Sequence, residues 1–178
     1  MPPNFHTSDL HHTSASWSEQ SSRSFSPIEL YGEGVDLERI EVPDETWTYV
    51  ACPREPPCDN CGRLTMHENC LIIATDGACR NNGFTNARAS VAVYVGEMSQ
   101  FNVARILEHY NLTSQEAELA AGVAALRQAI KIKNSAMTDL SEVVIKTDSD
   151  YLAKSMTEWV FKWRNTGYRT SKGSPVTN

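Results

Sequence analysis

The sharpest hydrophobic pattern begins at Leu71, where Leu71-Ile72-Ile73-Ala74-Thr75 predicts a buried strand running into Asp76-Gly77. Ala89-Ser90-Val91-Ala92-Val93-Tyr94-Val95 predicts a second strand, and Phe101–Leu107 alternates as a third. Arg80-Asn81-Asn82-Gly83, between the first two, has turn chemistry. Thr113-Ser114-Gln115-Glu116 is a capping box, in which the Thr hydroxyl and the Glu carboxylate satisfy amide donors left open at a helix start. That helix is expected to run to about Lys133, with Leu119, Val123, Leu126 and Ile130 along one face. Glu142–Thr147 predicts a fourth strand ending at Asp148-Ser149, and a second helix is expected from near Ser149 to about Arg164. The order β-β-β-α-β-α describes an α/β sandwich. Its first three strands form an antiparallel meander, and the fourth returns beside the first through a helical crossover.

Upstream the pattern fades. Residues 1–27 are rich in Ser, His, Thr and Pro without a sustained period, which is the composition of a disordered segment. Short apolar groups between Ile28 and Val50 fit either a strand or a docking arm. Arg54-Glu55-Pro56-Pro57 then breaks any regular element. The division expected is an acidic, largely disordered extension over residues 1–50, a Cys-rich connection over 51–70 and a folded domain over 71–178. Charge sharpens this division. Residues 1–50 hold nine acidic and two basic side chains, residues 51–178 thirteen acidic and fourteen basic. The overall charge of −6 therefore hides a near-neutral body, and nucleic-acid binding has to rest on a local basic patch. No run of eighteen apolar residues is present, which excludes a membrane-spanning helix. Five cysteines without a secretory leader pattern point to reduced thiols in the nucleus or cytoplasm.

Two predicted strands end in an acid, Asp76 and Asp148, and Glu118 lies in the second turn of the first predicted helix. If the two strands are adjacent and parallel, both aspartates emerge at one sheet edge, within reach of Glu118. Such a set of hard oxygen ligands suits Mg²⁺. Two such ions about 4 Å apart stabilise the attacking and leaving oxygens of a phosphodiester displacement. Taken singly, each acid reads equally well as a turn residue, a cap or a solvated helix position.

The ordered blocks settle the choice. Thr75-Asp76-Gly77-Ala78-Cys79-Arg80-Asn81-Asn82-Gly83, Thr113-Ser114-Gln115-Glu116-Ala117-Glu118-Leu119 and Thr147-Asp148-Ser149-Asp150-Tyr151 resemble the three successive catalytic motifs of ribonuclease H. Trp159-Val160-Phe161-Lys162-Trp163-Arg164 with Gly167-Tyr168-Arg169-Thr170 resembles the basic, aromatic handle of the cellular type. The resemblance implies the ribonuclease H-like mixed sheet, three antiparallel strands plus a parallel fourth. It also implies a Mg²⁺-dependent endoribonuclease that hydrolyses the RNA strand of an RNA–DNA hybrid. Asp76, Glu118 and Asp148 match the first three of the family's four metal-holding carboxylates. Gly77, Asn82, Ser114 and Gln115 match the RNA-facing side, Thr113 and Asn178 a DNA-phosphate pocket, and Trp159 and Trp163, with Lys162 in the basic handle, the DNA channel. Asp150 departs from the amide often found at its position, which puts that contact in doubt. The family's fourth acid, last strand and C-terminal helix have no counterpart up to Asn178. The expectation is therefore impaired cleavage by residues 1–178, the alternative being a non-catalytic hybrid-binding remnant.

After Glu158 the residues Lys162, Arg164, Arg169 and Lys172 occur with no acid, a local +4. This is either a phosphate-binding patch or a helix end complementing its dipole; with the motif match, binding is favoured. Cys58-x₂-Cys61, His67 and Cys70 offer four candidate zinc ligands within thirteen residues, the alternative being a loop of free thiols. Protein partners are not legible.

Overall fold

The computed structural model describes residues 23–108, 112–170 and 172–176. Its centre is one long strand, β3 (Met66–Arg80), preceded by the short strands β1 (Glu41–Pro43) and β2 (Thr48–Ala51). It is followed by β4 (Arg88–Tyr94), β5 (Val103–Leu107) and, after the helix α2 (Ser114–Ser135), by β6 (Glu142–Lys146). β3, β4 and β5 form the expected antiparallel meander, and β6 lies parallel to β3 in the register Cys70↔Glu142 to Ala74↔Lys146. Leu71 pairs with Tyr49 and Val143, and Ala74 with Tyr94 and Lys146. β2 and β4 therefore follow one another along one edge of β3, while β6 takes the other. The end of β4 abuts the β1–β2 turn, where the Met98 N–H donates to the Glu45 carbonyl at 2.7 Å.

Alternation along β3 sends side chains to two different layers. Leu71 and Ile73 are fully buried with Ala124, Ala125 and Ile132 of α2, whereas Cys70 and Ile72 pack with Ile40, Val50, Tyr31, Val35 and Phe25. The second face of the sheet is thus covered by residues 25–40, which include α1 (Pro27–Tyr31) and a 3₁₀ turn at Leu37–Ile40. Each of these short elements is capped by a side chain, Ser26 for α1 and Asp36 for the turn. The Tyr31 hydroxyl donates to the Ala51 carbonyl at 2.7 Å. Structure in residues 23–50 departs from the expected disordered extension. The apolar groups from Ile28 to Val50 find their partners on a sheet face that only the folded β3 creates. The expectation for residues 1–22 lies outside the described residues.

α2 begins as its sequence dictates. The Thr113 hydroxyl accepts from the Glu116 N–H at 3.1 Å, and the Glu116 carboxylate accepts from the Thr113 N–H at 3.1 Å. Its buried face differs from the expected one: Ala117, Ala121, Gly122, Ala124, Ala125, Gln128 and Ile132 are buried, while Val123, Leu126 and Ile130 are 47%, 48% and 61% exposed. Over its N-terminal part, where Gly77 lies against the Ala117 backbone, the helix is so close to β3 that small side chains fit beneath it, and a larger one, Ile132, is buried only toward its C-terminal end. We expect Ile132→Ala to lower the unfolding free energy by about 2–5 kcal/mol, and Leu126→Ser to change it by about 0.5 kcal/mol or less. Urea denaturation of residues 1–178 reads both; equal losses would show that the aliphatic face is the buried one.

The expected second helix is helical from Asp150 to Asn165 but not uniform: α3 (Asp150–Lys154), a π-helical turn (Ser155–Trp159) and α4 (Val160–Asn165) succeed one another. Beyond Gly167 the chain folds back on itself through the Arg169↔Pro175 bridge. Among the described residues β6 pairs with β3 alone, and none of the helices is long and apolar enough to cross a membrane.

Candidate metal centre and nucleic-acid interface

The parallel register of β3 and β6 builds the site. Their last pair is Ala74↔Lys146, so Asp76 and Asp148 each stand two residues beyond the point where the strands part. The third acid comes from α2, whose backbone presses directly on β3: a Cβ placed on Gly77 would lie 2.3 Å from the Ala117 carbonyl carbon and 2.5 Å from the Glu118 nitrogen. This contact delivers Glu118 to the gap between the strands. One carboxylate oxygen from each of Asp76, Glu118 and Asp148 lies within 4.8 Å of the others.

The electrostatics match a cation site. Asp76 and Asp148 are exposed and Glu118 half-buried. Desolvation, then the charges of Asp76 and Asp148, push the Glu118 carboxyl above its ordinary range, against the opposing effect of a hydrogen bond from the Gly77 backbone. Glu118 Oε2 is buried and has no hydrogen-bond partner among the described residues. A buried carboxylate oxygen without a donor, beside two further carboxylates, fits a hard divalent cation, which takes oxygen ligands and would cancel the mutual repulsion. Asp76, Glu118 and Asp148 are the residues that would hold it.

The other anticipated residues separate into groups. Gly77 is buried under α2, where it sets the helix–sheet distance. Asn82, held in the loop after β3, accepts the Ser114 N–H through its Oδ1 at 3.0 Å, tying that loop to the start of α2. The Thr113 hydroxyl is engaged in the cap, and Gln115 is exposed on the same turn. Asn82 lies in one motif and Thr113, Ser114 and Gln115 in another, and the fold joins them through the Asn82–Ser114 hydrogen bond. Tyr151, Trp159 and Trp163 form one aromatic ladder: Tyr151 meets Trp159 edge-on, with ring centroids 5.7 Å apart, and Trp159 meets Trp163 at a tilt, 5.8 Å apart. Tyr151 was not anticipated there; its eight-residue separation from Trp159 becomes a contact through the π-helical turn. Lys162 is exposed on α4. Asp150 is ion-paired with Lys154 at 2.8 Å. Asn178 lies outside the described residues.

The four zinc candidates are not brought together. Cys58 and Cys61 are exposed on the β2–β3 loop, whereas Cys70 is buried in the sheet, with its thiol pushed up to about 12, chiefly by burial. His67 sits on β3 opposite Val50, with desolvation holding its imidazole below the ordinary range. Among the described residues, the one convergence of three or more metal-ligating side chains is Asp76, Glu118 and Asp148. The strand explains the separation: Cys70 belongs to a long β3 that carries it away from the loop.

A mixed sheet with three carboxylates where two parallel strands diverge defines the ribonuclease H-like class of fold and site. Residues 68–178 match the family model described as RNase H, and the chain belongs to that family. Over 108 residues it is 39% identical to ribonuclease H1 of Mus musculus and 35% identical to that of Homo sapiens, covering 61% of this chain and 35% of each relative. Ribonuclease H of Enterobacter sp. is 33% identical over 107 residues, covering 60% of this chain and 61% of the relative. The chain thus spans about a third of the mammalian relatives it matches. A foamy viral protease-reverse transcriptase, solved in complex with dsDNA, aligns with a TM-score of 0.47 and 26% identity over 60% of this chain and 65% of that one.

Proposed function

We propose that this protein is a Mg²⁺-dependent endoribonuclease that hydrolyses the RNA strand of RNA–DNA hybrids, working in the nucleus or cytoplasm. The observation that carries the reading is the meeting of Asp76, Glu118 and Asp148 within 4.8 Å in a member of the RNase H family. Bound divalent cations supply the positive charge that lowers the energy of the attacking and leaving oxygens in phosphodiester hydrolysis. The chain's own residues position the reactants. Asp76 presents its oxygens from within β3, Asp148 from just past the end of β6, and Glu118 closes the set from α2. The loop at Asn82, fastened to Ser114, offers a polar surface for the RNA strand and its 2′-hydroxyls. The aromatic ladder and the basic residues Lys162, Arg164, Arg169 and Lys172 supply stacking and phosphate attraction for the DNA strand. With three carboxylates, residues 1–178 are expected to bind hybrid well and to cut it weakly, since a second cation would be short of ligands.

The test uses a labelled RNA–DNA hybrid and purified residues 1–178. We expect a salt-dependent gel shift, with log affinity falling linearly against log salt, and slow Mg²⁺-dependent cleavage confined to the RNA strand. Lys162→Ala combined with Arg169→Ala should flatten the salt slope by about two phosphate contacts. Robust cleavage overturns the impairment. Absence of both binding and Mg²⁺ dependence overturns the function.

A further inference from the structure

The β2–β3 loop carries two exposed cysteines that the carboxylate site does not use. Cys58 and Cys61 are both exposed free thiols. A tight turn holds them: the Cys58 N–H donates to the Arg63 carbonyl at 2.9 Å, and the Gly62 N–H donates to the Cys58 carbonyl at 2.8 Å. Gly62, with φ of +67°, reverses the chain immediately after Cys61. Glycine suits that left-handed conformation, so the turn is built into the sequence. Within it hydrogen bonding from the Cys61 backbone, then from the Asn60 backbone and the Cys61 side chain, holds the Cys58 thiol below its ordinary range. These contacts favour the thiolate of Cys58, the form that reacts with disulfides.

The remaining cysteines are placed differently. Cys52 and Cys70 are buried, and the Cys79 thiol donates to the Leu112 carbonyl at 3.5 Å. A structural zinc site needs four ligands, and no third ligand joins Cys58 and Cys61 among the described residues. A disulfide needs two, and both are present at the surface.

We propose that Cys58-Asp59-Asn60-Cys61 is a redox-active dithiol that exchanges with low-molecular-weight disulfides of the glutathione type. The Cys58 thiolate, its proton released to solvent, attacks one sulfur of the small disulfide. A mixed disulfide forms and the first small thiolate leaves. The Cys61 thiolate then attacks Cys58 Sγ, closing the protein disulfide and expelling the second small thiolate. Two protein thiols are oxidised and one small disulfide is reduced to two thiols, which take up the two protons lost by the protein.

The experiment equilibrates residues 1–178 in glutathione redox buffers, traps free thiols by acid quench and alkylation, and maps the products by mass spectrometry. The expected product is a Cys58–Cys61 peptide lighter by two hydrogens and free of glutathione, with Cys52 and Cys70 still alkylated after unfolding. Cys61→Ser should accumulate a glutathione adduct on Cys58, and Cys58→Ser should react more slowly and close no ring. The proposal is overturned if both thiols stay reduced across the buffer series, or if each carries its own glutathione without ring closure. It is equally overturned if protein purified without chelators holds stoichiometric zinc that Cys58→Ser releases.

Discussion

Gly77→Ala disables the carboxylate site without substituting any of its three acids. The added methyl would lie 2.3, 2.4 and 2.5 Å from the Ala117 carbonyl carbon, the Ala117 oxygen and the Glu118 nitrogen. All three atoms are backbone, so no rotamer change relieves the clash; α2 has to lift away from β3. The helix also covers Leu71 and Ile73 through Ala124, Ala125 and Ile132, so the lift loosens the main core. Overpacking of this kind costs roughly 1–3 kcal/mol. Glu118 moves with the helix, and a displacement near 1 Å at a reacting centre lowers rates on the order of 10²-fold. Thermal unfolding, Mg²⁺ titration calorimetry and hybrid cleavage should all register the change. A Gly77→Ala protein with unaltered melting temperature and Mg²⁺ affinity would refute the assigned role of the contact.

Glu118→Gln separates the stability of the metal-free protein from its capacity to hold a cation. Burial and the neighbouring Asp76 and Asp148 raise the Glu118 pKa in the folded protein. An acid raised on folding favours the native state fully below its unfolded pKa, and that contribution is lost as pH rises through the folded value. At pH above the folded value the metal-free protein therefore carries an ionised Glu118 at a cost, and the neutral amide removes it. The variant should melt at a higher temperature than the parent without metal, and lose the part of the pH dependence that begins near the ordinary glutamate range. With Mg²⁺ the order reverses. The parent gains stability from the cation, increasingly as pH rises and proton competition falls. The variant gains little, and its cleavage should drop at least on the order of 10²-fold. Melting curves across pH, with and without Mg²⁺, provide the check. An undiminished Mg²⁺-induced rise in Glu118→Gln would remove Glu118 from the ligand set.

The two variants separate parts of the fold that differ in how far the sequence reveals them. The identity of the acids was legible because local pattern marks each position, Asp76 and Asp148 after apolar runs and Glu118 in the second turn of a capped helix, although β3 continues past Asp76 to Arg80. Their convergence was legible only through the family resemblance, since strand adjacency is not a local property. Gly77 was read as a substrate contact because of its motif. Its packing role depends on the distance between α2 and β3, which no local signal reports. Tyr151 was missed for a related reason, as the π-helical turn that joins it to Trp159 leaves no mark in the hydrophobic period.

Sequence by itself determined the order of strands and helices from Leu71 onward, the start of α2 at its capping box, and the three acids with their motif neighbours. These follow from local periodicity, hydrogen bonding at helix ends, and ordered blocks, all of which act over a few residues. Tertiary structure alone decided the rest. It buried the alanine face of α2 and left Val123, Leu126 and Ile130 outward, because close helix–sheet contact selects small side chains. It placed residues 25–40 over Cys70 and Ile72, because a second apolar face exists only once β3 is paired. It also divided Cys58 and Cys61 from Cys70, because the strand that begins at Met66 carries Cys70 into the core.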